Sequence, residues 1–113
     1  MNEVEVVESI DKRKEILKSV ENVLRSYGIQ RTPDNNNFYD RFMIHLNYFL
    51  DYLDRTRDDN QSLLDMEEHI KTTYPKAFEI GSNIYEVIAQ ETGVDLYKSE
   101  RVYLVLHIQR LLS

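Results

Sequence analysis

The stretch FYDRFMIHLNYFL, residues 38–50, decides the fold. Phe38, Phe42, His45, Leu46 and Phe49 recur at steps of three and four, and Leu53 continues the series; this is the period of an amphipathic helix. Asp40, Asn47, Asp51 and Asp54 fall on the opposite side. Asn37 is suited to cap this helix, which is expected to run to about Arg55.

Working outward, Ile16, Leu17, Val20, Val23, Leu24 and Tyr27 repeat the same spacing and place a helix over Ser9 to Tyr27, with Gly28 free to take the left-handed turn that ends it. Residues 1–8 form an acidic leader ahead of it, and Pro33, Asp34 and three consecutive asparagines mark a loop before the second helix. After a polar linker from Thr56 to Gln61, Ser62 and Asp65 have capping-box spacing before Leu63, Met66, Ile70 and Tyr74. Pro75, tolerated in a first helical turn, opens a fourth helix to Gln90 that buries Ala77, Ile80, Ile84, Val87 and Ile88. Gly81 inside that stripe lowers helix propensity and predicts the close approach of another helix. Gly93 is the next break, and Ser99 is the expected cap of a fifth helix whose residues Val102 to Ile108 are apolar on almost every side. The expectation is an all-α protein, a compact five-helix bundle over residues 9–113.

Composition narrows the function. Hydrophobic residues at 42% and charged residues at 30% suit one packed domain, and no apolar run approaches the roughly 18 to 20 residues that span a bilayer. The amino terminus is acidic rather than a basic start followed by an apolar stretch, so a cytoplasmic location without membrane contact is expected. The absence of cysteine excludes disulfides, thiolate metal sites and a cysteine nucleophile. A net charge of -6 without a basic stripe argues against direct nucleic-acid binding. The chain lacks a glycine-rich phosphate loop, an H-E-x-x-H pair and a nucleophile elbow, and the carboxylates Asp51, Asp54, Asp58 and Asp59 fit a solvated face; it reads as no enzyme, with no cofactor.

The histidines are the candidates for function. His45 projects among phenylalanines, and His107 aligns with Glu100, Leu104 and Leu111 on the last helix. Arg41 precedes His45 by four residues and Arg110 follows His107 by three, spacings that make neighbours on a helix. A neutral imidazole is a nucleophile toward a phosphoryl donor, and a guanidinium can hold the resulting dianion. The alternatives are histidines that only pack, arginines in ordinary surface ion pairs, and a metal site of His45, His107 and Glu100 in a small metal-dependent enzyme. His69, beside Glu67 and Glu68, is expected to be solvated.

Three segments together, residues 38–50, Tyr74-Pro-Lys-Ala-Phe-Glu-Ile80 and Glu100-Arg-Val-Tyr-Leu-Val-Leu-His-Ile-Gln-Arg110, resemble the PTS regulation domain (PRD) of bacterial transcriptional antiterminators and activators. The resemblance covers nearly the whole chain. It implies a five-helix bundle in which His45 and His107 accept phosphoryl groups from HPr or a sugar-specific enzyme II of the phosphotransferase system, with a homodimer as the natural readout. In some copies of the domain an acidic residue directly precedes the first histidine; here that neighbour is Ile44. Typical members also join two such domains to a nucleic-acid-binding module, so a stand-alone regulator or a piece of a longer protein is expected.

Overall fold

The computed structural model describes residues 3–51 and 60–112, with side chains from Lys12 onward. Six helices follow one another: α1 Glu3–Ser26, α2 Asn36–Asp51, α3 Gln61–Asp65, α4 Glu67–Thr73, α5 Pro75–Thr92 and α6 Lys98–Leu112. No strand occurs among the described residues. The expected linker up to residue 59, the end of the second helix beyond Asp51, and the carboxylates Asp54, Asp58 and Asp59 lie outside them.

The glycines and Pro75 act as their chemistry requires. Gly28 and Gly93 take the left-handed conformation, with φ of 79° and 67°, and Gly93 closes α5 by donating its N–H to the Ala89 carbonyl at 2.9 Å. Pro75 occupies the first turn of α5. Between Glu3 and Ser26 there is neither glycine nor proline, and α1 accordingly starts at Glu3, taking in residues 3–8 of the expected leader.

Three expected caps, Asn37, Ser62 and Ser99, are not the ones used, and the third helix is divided. The expected third helix is two, making six in all: Met66 closes α3 by turning its N–H to the Leu63 and Leu64 carbonyls, then opens α4 by accepting from the Ile70 N–H at 2.9 Å. The cap of α3 is Asn60 rather than Ser62. Its side chain accepts the Leu63 N–H at 3.2 Å, while its own N–H donates to the Ser99 hydroxyl at 3.1 Å. Ser99 is therefore inside α6 and serves α3, and Asp65 accepts instead from the Gln61 side chain. Asn37 lies within α2; the preceding loop is braced by Asn35, whose side chain accepts from Thr32 N–H at 2.7 Å and donates to the Gln30 carbonyl at 2.9 Å.

The core forms where the apolar stripes meet. Phe42, Leu46 and Phe49 of α2 and Ala77, Ile80, Ile84 and Ile88 of α5 enclose α6, whose Val102, Leu104, Val105 and Ile108 are fully buried, while Ile16, Val20 and Leu24 of α1 extend the core along α5 and α2. Each buried aliphatic side chain contributes roughly 1.5 to 3 kcal/mol over exposure. Phe38 and Met66, expected inside, are 39% and 43% exposed, and Val87 is half-buried at the edge of its stripe.

Three consecutive residues at the start of α6 reach three different directions. Ser99 holds α3, Glu100 faces α2, and Arg101 pairs with Glu67 of α4 while its guanidinium lies over the Phe78 and Tyr85 rings of α5, 5.4 and 5.8 Å from their centroids.

The close approach at Gly81 is with α6. A Cβ at that position would stand 2.7 Å from Val105 Cγ2 and 3.2 Å from the Val105 backbone N and Cα, so α5 or α6 would have to move. Gly81→Ala gains about 1 kcal/mol of helix propensity but forces an overpacked contact that typically costs about 1 to 3 kcal/mol. The expected outcome is a lower urea midpoint for Gly81→Ala and a much lower one for Gly81→Val; equal midpoints would show that the helices do not meet there.

Candidate functional site

The site lies where α2 crosses α6. Phe42 and His45 are one turn apart on α2, while Glu100, Tyr103 and His107 share one face of α6 at steps of three and four. Phe42 and Leu46 anchor their side of α2 in the core, and that anchoring carries His45 to the helix boundary, where its side chain is 23% exposed.

The two histidines meet. Their ring centroids are 5.0 Å apart with planes inclined by 26°. His45 also stacks on Tyr103 at 4.2 Å and 25°, Tyr103 tilts against His107 at 4.9 Å, and Phe42 closes the group at 5.8 Å from His107. Beside His45 a cleft of about 490 Å³ opens between the starts of α3 and α6, lined by Asn60, Leu63, Tyr97, Ser99 and Tyr103.

Glu100 is the buried acid of this site, with a side chain 9% exposed, and its Oε1 accepts from His45 Nε2. A carboxylate can only accept, so the proton in this contact belongs to Nε2. Burying a carboxylate without a partner is strongly unfavourable, and His45 is the partner that makes the burial tolerable. Glu100 thus supplies from another helix an acidic neighbour for His45, whose preceding residue is the exposed Ile44.

His107 is held neutral. Its pKa is pulled down to about 4, first by burial, then by repulsion from His45 and Arg110, against a smaller opposing pull from Glu100. Arg110 is exposed and acts on His107 through its charge; Arg41 is exposed one turn before His45 and is not among the residues lining the cleft. His69 is exposed on α4, away from this cluster.

The structure thus brings His45, His107 and Glu100 together and adds Tyr103, which sequence reasoning missed. The signal was present in the spacing of Glu100, Tyr103 and His107, but an exposed tyrosine on a nearly all-apolar helix gives no reason to single it out. Among the described residues no three His, Cys, Asp or Glu side chains are disposed to hold a metal ion, so the pairing of His45 with Glu100 does not extend to a metal centre with His107.

Comparison with known proteins places this helical bundle among the PTS-regulated regulatory domains. The PRD domain family matches residues 15–111, and the chain belongs to it. Transcription antiterminator LacT of Lacticaseibacillus casei is 36% identical over 95 residues, which are 83% of this chain and 32% of LacT. Protein GlcT of Staphylococcus saprophyticus is 27% identical over 86 residues, 75% of this chain and 30% of that protein. Protein GlcT of Staphylococcus epidermidis is 33% identical over 72 residues, 62% of this chain and 24% of that protein. The chain spans about a quarter to a third of the length of these curated relatives. No solved structure matches it. No described helix is long and apolar enough to cross a membrane.

The neutral state of His107 carries a pH signature. An unfolded histidine binds its proton near pH 6.5, whereas folded His107 does so only near 4, so between these values the unfolded chain holds more protons and acid favours it. The contribution of His107 is absent above about pH 6.5 and grows as a destabilisation as pH falls toward about 4. The urea midpoint is expected to drop between about pH 7.5 and pH 5, and to drop less in His107→Gln. An unchanged pH dependence in that variant would show that His107 titrates normally.

Proposed function

We propose that His45 and His107 accept phosphoryl groups from HPr or a sugar-specific enzyme II of the phosphotransferase system, and that the modified domain controls transcription or antitermination through dimerisation or a partner. It does so in the cytoplasm as a regulator rather than an enzyme, without a cofactor, without direct nucleic-acid contact by this chain and without a membrane. The observation that carries this reading is the stacked pair of partly buried imidazoles at the α2–α6 junction, one of them held neutral and so retaining a lone pair for attack. The regulation domain is taken as residues 9–113, after the acidic leader 1–8.

Phosphorylation adds about -1.5 to -2 charges to a ring packed against Tyr103 and the other imidazole, next to a buried carboxylate. Such a charge is incompatible with the unmodified packing, so the ring cluster must rearrange, and the rearrangement reaches the surface directly. Ile44 and Tyr48, one and three residues from His45 on α2, are 56% and 61% exposed, and Tyr103 is 39% exposed; these exposed apolar side chains are where a second copy or a partner would read the change. In this reading Arg41 and Arg110, exposed one turn from the two histidines, support the phosphoryl groups.

One observation favours a second reading. His45 is already engaged by Glu100, and an imidazole paired with a buried carboxylate also suits a passive interaction module in which both histidines pack and neither is modified.

The two readings separate by intact mass at neutral to basic pH after incubation with enzyme I, HPr, a cognate enzyme II component and phosphoenolpyruvate. Phosphoryl uptake is expected, with one acceptor lost in His45→Ala and another in His107→Ala. No uptake from competent donors would leave the passive module.

A further inference from the structure

An imidazole offers two nitrogens, and a phosphoryl group can join only the one that carries a lone pair. We infer that Glu100 decides which nitrogen of His45 that is, holding the Nε2 proton so that the phosphoryl group is taken on Nδ1. The inference rests on the reading that His45 is a phosphoryl acceptor, and it makes Glu100 a positioning residue of that step.

Three features of the site support it. Glu100 Oε1 accepts from Nε2 across 55 residues of sequence, and the carboxylate is buried, so its location is set by the packing of α6 rather than by solvent. Turning the ring by half a rotation would keep its plane and its stack on Tyr103 but bring a carbon to the carboxylate, leaving a buried charge without its partner. A hydrogen bond at one ring nitrogen in this way selects the tautomer and raises the basicity of the other nitrogen. Electrostatics select the same side. A phosphoryl group on Nε2 would replace the proton shared with Glu100 and set a dianion against a buried carboxylate, whereas on Nδ1 it projects from the other side of the ring.

The transfer balances without a further reagent. The Nδ1 lone pair of neutral His45 forms the new N–P bond as the N–P bond of a phosphohistidine carrier breaks, and the carrier's ring leaves with that electron pair as neutral imidazole. The positive charge carried by the phosphorylated donor ring passes to His45, which keeps its Nε2 proton against Glu100, and the carboxylate compensates that charge as it develops.

Two-bond 1H–15N correlation spectra of the 15N-labelled chain test this, with His45 assigned by its absence in His45→Gln. In the unmodified protein Nε2 is expected to carry the proton and Nδ1 the lone pair; the reverse tautomer overturns the inference without any donor being added. After incubation with the phosphotransferase components, or with phosphoramidate as a chemical donor, the phosphorus is expected on Nδ1. Phosphorus on Nε2 overturns the inference while sustaining the acceptor role. Uptake on Nδ1 from phosphoramidate but not from the protein donors sustains the inference and overturns that role, and no uptake on His45 from either donor overturns both. Glu100→Gln, which keeps a carbonyl acceptor, is expected to retain Nδ1 as the site with a rate lower by roughly ten- to a hundredfold, and Glu100→Leu to distribute phosphorus over both nitrogens.

Discussion

Everything in this domain depends on how closely α6 is drawn into the bundle. At Gly81 the absent side chain lets the α6 backbone at Val105 approach α5, and Val102, Val105 and Ile108 fill the space on that side. Once that face of α6 is fixed, the rotation of the helix is fixed too, and Glu100, Tyr103 and His107 have nowhere to point except toward α2. The ring cluster is thus a by-product of apolar packing elsewhere on the same helix. A protein interior is close-packed and deforms little, so the spacing of the imidazoles is set as firmly as the core itself.

That dependence explains what the sequence made legible. Features written in one helix were recoverable: the stripes of α1, α2 and α5, the turns at Gly28 and Gly93, the first-turn proline of α5, and the tight contact implied by Gly81. Helix starts were less so, because the asparagine or serine that serves as a cap is chosen by its neighbours in space. Asn60 rather than Ser62 caps α3 since its own N–H is held by Ser99, and nothing local distinguishes the two positions. The break at Met66 is equally invisible, since the apolar period runs straight through it.

For the site the division is the same. His45 and His107 stand out as rare residues on apolar faces, and their approach to 5.0 Å follows once both faces are known to meet. The pairing of Glu100 with His45 and the stacking of Tyr103 on His45 require the relative height of α2 and α6, which no single-helix pattern encodes. Arg41 and Arg110 were legible as neighbours of the histidines in sequence, and Arg110 acts on His107 through its charge, whereas Arg41 does not line the cleft; spacing guarantees adjacency on a helix, not participation.

The run Ser99-Glu100-Arg101 ties α6 to partners 39, 55 and 34 residues earlier in the chain. A ribosome makes α1 through α5 before any of these residues exists, and during that interval the stripes of α2 and α5 that α6 will cover have no partner. The growing chain therefore carries uncovered apolar surface until α6 emerges, the circumstance in which chaperones bind nascent proteins. Assembly of the histidine pair coincides with the end of that interval, so a chain still on the ribosome before α6 is made has no paired site.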